Sequence, residues 1–456
     1  MPEDADTAVV SVAPDGGRVL WEHGEPSEGG IAGGRPPTVC GGRAEGGPAA
    51  AKDGPSPAPA LEPLSAEALL AWFAVHRRRL PWRENRDPYR VWIAEVMLQQ
   101  TRVETAIPYY QRFLEQFPTV HALAEAPEAA VLKAWEGLGY YSRARNLQRA
   151  AREVVARYGG TLPADARALA ALPGIGPYTA GAIAALAFNL PVAAVDGNVL
   201  RVMARALGIP EDVSRPAVQR RIAAAVESLI PPGRAGLFVE ALMELGALVC
   251  TPKSPQCTAC PWQRACVAHG TGQAERLPRR APRTRPRPVY GAVAVIARGE
   301  RVLVVRRPAE GLLAGLWEFP WAEAAREEDA SPALVQAVAR ELGLEVQVER
   351  ELVPVRHVFS HLEWRLRVYA CRWLGDAADQ PGRTAVQTGM APADHAGGEG
   401  DRGRGRDSTQ DPALTPERLW ASREELARLA FGRAHRRIGQ LWLAAGRTAP
   451  GGGAAP

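Results

Sequence analysis

From Ser65 onward the apolar residues recur at helical spacing, and they continue to do so to about Ala268. Leu69, Leu70 and Phe73 share one face; Trp92 and Val96 share another, with Gln99 and Gln100 one turn further on. Pro108, Pro118, Pro127, Pro163, Pro173, Pro191 and Pro210 punctuate the stretch at helix spacing, so it reads as many short helices. Residues 1–60 are rich in Gly, Pro, Ala and Glu without periodicity and are expected to be a disordered tail. Residues 272–288 form a basic, Pro-rich linker, after which the period changes. Residues 290–297 and 301–306 are β-branched and read as a hairpin about 298–300. A helix is expected over 333–342, strands over 345–350, 355–359 and 363–373, and helix again over 413–446. Residues 375–412 read as a disordered insertion and 447–456 as a tail. The expected organisation is an all-α domain over 61–271 followed by an α+β domain over 289–446.

Composition narrows this picture. Charged residues are 23% and apolar ones 46% of the 456 residues, as in ordinary soluble chains. No run approaches the roughly 18 apolar residues of a membrane span, and no basic start with an apolar stretch marks a secretory signal. A soluble, cytoplasmic protein with no membrane partner is expected. The net charge of +5 hints at a polyanionic partner. Lys52, Lys133 and Lys253 are the only lysines. With so much Ala, Gly and Pro, the arginine excess equally reflects GC-rich coding, and a bacterial source is expected.

Three motifs carry chemistry. Residues 172–180 read LPGIGPYTA: two glycines make a tight hairpin ahead of an Ala-rich helix. The backbone N–H groups about Gly174 and Gly176, with the helix N-terminus, can hold a phosphate. Alone, such a hairpin serves equally as a helix–helix turn. Residues 195–201, VDGNVLR, place Asp196 before a Gly-Asn turn, where it could be simply a helix N-cap. Of six cysteines, Cys250, Cys257, Cys260 and Cys266 cluster with spacings of six, two and five. Four thiolates in one loop suit an S4 metal or a [4Fe–4S] cluster; a zinc ribbon would show two close pairs and a long gap.

Taken together, the hairpin, Asp196 and the cysteine loop resemble the endonuclease III (helix-hairpin-helix) superfamily, and within it the MutY-type adenine DNA glycosylases. Trp82-Arg83, WIAEVMLQQTRV (92–103), WEGLGYYSRAR (135–145) and FVEALMELGALVC (238–250) carry the resemblance, which covers roughly residues 62–270 and 289–373. It implies a helix-hairpin-helix over 172–188, a [4Fe–4S] loop over 250–266, and a monomer acting on duplex DNA that holds A opposite 8-oxoguanine or G, in the nucleoid. Adenine leaves readily only when protonated, and the sugar left behind needs negative charge; two carboxylates meet these needs. The resemblance gives Glu95 the first task and Asp196 the second, with Tyr178 and Asn198 in support. The apolar neighbours of Glu95 should keep it protonated, and Asp196 should find donors and stay ionised. Trp82, Arg83, Leu98, Val103 and Glu240 match the adenine pocket; Gln100, Thr101 and Leu138 match positions facing the partner base, and Tyr140 the wedge that holds the duplex open. Superfamily members that also cut the backbone carry a lysine where Tyr178 stands, so a monofunctional enzyme is expected.

The C-terminal domain resembles the Nudix fold. Aligned on Glu341-Leu342-Gly343-Leu344, its other acidic places hold Ala337 and Arg340 and its leading Arg place holds Gln336, so it should bind rather than hydrolyse. Phe359-Ser360-His361 matches the family's loop that senses 8-oxoguanine, through Ser360 and His361. The rival readings are an endonuclease III-type glycosylase/lyase and a non-catalytic iron–sulfur DNA-binding protein.

Overall fold

The computed structural model describes residues 62–281, 285–377 and 417–445. The expected tail 1–60, residues 378–412 of the expected insertion and the tail 447–456 lie outside the described residues. The helices are α1 (Ala66–His76), α2 (Pro88–Leu98), α3 (Val103–Gln116), α4 (Val120–Glu125), α5 (Glu128–Ala134), α6 (Ser142–Tyr158), α7 (Ala166–Ala170) and α8 (Pro177–Phe188). There follow α9 (Gly197–Ala206), α10 (Pro216–Leu229), α11 (Ala235–Leu248), α12 (Val267–Gly270), α13 (Pro332–Glu341), α14 (Arg423–Arg428) and α15 (Arg433–Ala445). The strands are β1 (Arg287–Arg298), β2 (Arg301–Arg306), β3 (Trp317–Glu318), β4 (Trp321–Ala324), β5 (Leu344–Val358), β6 (Leu362–Asp376) and β7 (Arg418–Ala421).

The contacts divide the described residues into two units, one drawn from residues 62–77 and 195–280, the other from residues 78–194 and the described residues after 280. In the first, α9 packs on α11 and α11 on α1. Trp262, only 2% exposed, donates its indole N–H to Ser65 O at 2.8 Å, which ties the cysteine loop to the start of α1.

In the second unit α2 is buried on nearly every side, from Tyr89 through Met97 with Arg90 alone exposed, and it packs on α8. The sequence sets both starts: Asp87 caps α2 by accepting from Arg90 N at 2.9 Å, and Pro88 and Pro177 occupy first helical positions, where no N–H is needed. Pairing of the Gln99 amide with Thr179 Oγ1 at 3.0 Å fixes one helix against the other. Gln99 is already the C-cap of α2 and Gln100 has φ +56°, so these two glutamines leave the helical face expected for them.

The same unit holds a seven-stranded mixed sheet of order β3-β2-β1-β6-β5, with β4 on β1 and β7 on β2. Parallel pairing of β1 with β6 puts Val293 opposite Val368; β1 and β2 form the expected hairpin. Alternation along β1 sends Val293 and Val295 to a core closed by Phe431 and Ile438 of the C-terminal segment, and Ala292, Ala294 and Ile296 to a core closed by Val335 and Ala339 of α13. Two expected strands, 345–350 and 355–359, are one: β5 runs on past Pro354, with register shifts taking up the irregularity. The sequence reading of 413–446 as helix is corrected too, since 418–421 pairs with β2 as β7 before α14 and α15. Among the described residues no helix is long and apolar enough to cross a membrane.

Candidate active site, hairpin and cysteine loop

Glu95 lies on α2, 5% exposed, between buried Ala94 and Val96. The Tyr178 hydroxyl, at the second position of α8, donates to Glu95 Oε2 at 2.5 Å. The pairing needs α2 packed on α8, because 83 residues separate the two in sequence. Tyr178 is thus engaged with the carboxyl group.

Gly174 (φ +75°) makes the hairpin turn, and a Cβ there would lie 2.6 Å from Asn146 Cβ. Gly176 is different: it caps α8 with φ −83°, and a Cβ would meet nothing within 4 Å. Among the described residues no neighbour excludes a side chain there.

In the other unit, Asp196 is both an N-cap and the centre of a polar chain. Its Oδ1 accepts from Val199 N at 2.7 Å, and its Oδ2 from Asn198 Nδ2 at 2.8 Å. Arg201 donates to Asn198 Oδ1 at 2.8 Å, to Gly246 O at 2.8 Å and to Cys250 O at 2.6 Å. Burial raises the Asp196 pKa above the ordinary aspartate range, while the Val199 and Asn198 donors and the Arg201 charge pull it down. The donors expected beside Asp196 are present, but burial outweighs them.

Arg143, which sequence reading passed over, joins two other candidate segments. It donates to Val96 O, Met97 O and Gln99 O at the end of α2, and to Leu138 O and Gly139 O of the next turn. Burial lowers its pKa to about 10. Its guanidinium lies 5.6 Å from the Tyr140 ring centroid. Tyr140 has φ +48° and is 45% exposed, an aromatic ring presented at a turn, whereas Leu138 is 8% exposed and packs inward. Gln100 is exposed; Thr101 is half-buried, with its hydroxyl 3.4 Å from Gln99 O. Trp82 meets Tyr110 edge-on at 5.5 Å, Arg83 donates to Arg78 O at 3.0 Å, and Leu98 and Val103 are partly buried at helix ends. Glu240 lies on α11 of the other unit.

Ser360 and His361 are exposed at the tip of the β5–β6 hairpin, Ser360 Oγ 3.4 Å from His361 Nδ1. Phe359 anchors the tip edge-on to Trp364 at 4.9 Å, and its N–H donates to Leu362 O at 2.7 Å. Exposed Glu341 ends α13, whose other aligned positions carry no acid. The same sheet holds a buried acid on β3: Glu318 accepts from Arg307 at 2.6 Å and from the Trp321 indole at 3.1 Å.

Cys250, Cys257, Cys260 and Cys266 are free thiols and partly buried. Burial first, and then the charges of neighbouring thiols, raise Cys257, Cys260 and Cys266, with Cys260 pushed up to about 12. Among the described residues no three His, Cys, Asp or Glu groups stand at the spacing of a single metal ion. Arg205, 2% exposed, places Nη1 3.3 Å from Cys250 Sγ; its other partners are Leu277 O, Thr251 O and Pro252 O. A buried cation with carbonyls and a sulfur but no carboxylate suits a loop whose cysteines are thiolates. Four cysteines in one short loop are the donor type that a thiolate-bound group takes.

A helix-hairpin-helix, a carboxylate paired with a hydroxyl on buried helices and a cysteine loop, in one chain with a Nudix-like sheet, are the parts of a base excision glycosylase with a Nudix-like domain. The model of the HhH-GPD superfamily of base excision DNA repair proteins matches residues 93–228, and a NUDIX domain model matches 292–441. The chain is 39% identical over 356 residues to the adenine DNA glycosylase of Mus musculus, spanning 66% of this chain and 69% of that protein. It is 30% identical over 370 residues to that of Schizosaccharomyces pombe, spanning 66% and 80%. A solved thermostable thymine-DNA glycosylase is 30% identical, with a TM-score of 0.42, covering 45% of this chain and 95% of that one. The chain belongs to the adenine DNA glycosylase family.

Proposed function

We propose that this enzyme removes adenine mispaired with 8-oxoguanine, or with guanine, from duplex DNA by hydrolysis alone, as a cytoplasmic monomer. The observation that carries this reading is the buried Glu95 carboxyl bonded to the Tyr178 hydroxyl. Glu95 gives its proton to adenine N7, so that the base departs neutral. Tyr178 holds one carboxyl oxygen and so orients the group for the transfer. Asp196, a carboxylate that burial disfavours as an anion, gains by facing positive charge developing at the sugar C1′, which it stabilises or briefly bonds. Asn198 and Arg201 fix its orientation. Water completes the hydrolysis, and with no amine at position 178 the strand stays intact.

Tyr140 serves as the wedge, and Gln100, Thr101 and Leu138 face the partner base; Trp82, Arg83, Leu98 and Val103 line the adenine pocket. Gly174 and Gly176 receive backbone phosphate. Ser360 and His361 read 8-oxoguanine. Cys250, Cys257, Cys260 and Cys266 would hold a [4Fe–4S] cluster, which supplies no chemistry to the base and orders the loop. Single-turnover incubation with matched duplexes tests the function. Free adenine should appear from A opposite 8-oxoguanine, with an alkali-labile but uncut strand. Release of thymine glycol with spontaneous strand cleavage would overturn the reading in favour of a lyase.

A further inference from the structure

The turn that presents Tyr140 is held at both ends by the C-terminal segment of the chain. Within the turn, Gly137 and Gly139 take positive φ freely, but Tyr140, at φ +48°, is a non-glycine residue held in the left-handed region. At its start, Glu136 accepts from Arg436 Nε at 2.6 Å, Arg436 Nη2 at 3.0 Å, Phe431 N at 3.2 Å and Lys133 Nζ at 2.5 Å. At its end, buried Tyr141 donates to Phe431 O at 2.9 Å and accepts from Gly137 N at 3.3 Å. Lys133 Nζ donates to Leu429 O at 3.1 Å, and Arg145 to Ala314 O at 2.8 Å. Arg436 is itself preset, donating to Leu426 O and Leu429 O with its guanidinium 4.7 Å from the Phe431 ring centroid. A forked pair of this kind fixes orientation as well as distance.

We propose that Arg436, through Glu136, is a positioning residue for base extrusion: the Nudix-like domain sets the turn that carries Tyr140, apart from any reading of the partner base. The inference rests on the proposed wedge role of Tyr140. The domain then has two separable contributions. Ser360 and His361 would alter preference between partner bases. Arg436 sets how firmly the turn resists the DNA stack, which acts on every substrate alike.

The test uses the full-length chain with Arg436→Ala and, should that variant fold poorly, Arg436→Lys, which keeps the charge and loses the fork. Hydrogen exchange at residues 137–141 should accelerate about tenfold in Arg436→Ala. Single-turnover adenine release should fall by a similar factor opposite 8-oxoguanine and opposite guanine, leaving their ratio unchanged. Adding Tyr140→Ala to Arg436→Ala should cost no more than Tyr140→Ala alone, because both act through one ring. Unchanged exchange in the turn overturns the latch, whatever the activity. Faster exchange with undiminished release, a changed ratio, or additive losses overturns the positioning role. A wild-type chain that releases no adenine would refute the proposed function, while the exchange measurement still decides the latch.

Discussion

Arg143→Ala should be among the most damaging single changes outside the carboxylates. The wild-type guanidinium satisfies three carbonyls at the end of α2, where no intrahelical donor remains, and two more in the turn before Tyr140. A hydrogen bond from a charged donor is worth about 1.5–3 kcal/mol net. The side chain is only partly buried, so water recovers some of the five contacts. Counting two as lost gives about 3–6 kcal/mol. The guanidinium also lies 5.3 Å from the Trp135 ring centroid, a contact worth about 0.5–1 kcal/mol. For a unit of this size that corresponds to a fall in Tm of about 10 °C. Arg143→Lys should recover less than half, since one ammonium cannot span both the end of α2 and the following turn. Thermal melting and denaturant titration read the stability; single-turnover adenine release reads the loosening of Glu95 and Tyr140. An Arg143→Ala protein that melts within about 2 °C of wild type would show that water replaces the guanidinium and that its bridging is not structural.

Asp196→Asn should abolish adenine release yet melt at or above the wild-type temperature at neutral pH. A carboxylate whose folded pKa is raised favours the folded state only while protonated, and that contribution disappears as pH rises through the folded value. The variant's advantage should therefore vanish below about pH 4, and a uniform loss of stability across pH would contradict it. Ser360→Ala with His361→Ala should reduce the preference for 8-oxoguanine over guanine by about ten- to a hundredfold while sparing release opposite guanine, measured on matched duplexes. Cys257→Ser should lower iron per chain and remove absorbance near roughly 400 nm; stoichiometric zinc in anaerobically purified wild type would contradict the cluster.

Much of this was legible in the chain. The helical period located α2 and α8, and the motifs marked Glu95, Tyr178, Asp196 and the cysteines one by one. What the sequence did not show was their partners. The Tyr178–Glu95 bond depends on helix packing, and the roles of Arg143, Arg201 and Arg205 were masked by an arginine-rich composition in which no single arginine stands out. Burial distinguishes them: Arg201 and Arg205 are 8% and 2% exposed. The sequence reading breaks this stretch into 345–350 and 355–359, yet β5 runs through Pro354, which an edge strand tolerates. The segment 418–421 carries no strong strand signal of its own, and pairing with β2 decides its form.

The central claim is that Glu95 delivers the proton that lets adenine leave. Glu95→Gln keeps the shape of the side chain and can still accept from Tyr178, so binding to a duplex holding A opposite 8-oxoguanine should stay within a few-fold of wild type. Single-turnover adenine release by that variant should fall by about 10²–10⁴-fold, the usual contribution of a positioned general acid. Release at the wild-type rate, with binding unchanged, would remove Glu95 from the chemistry and contradict the account.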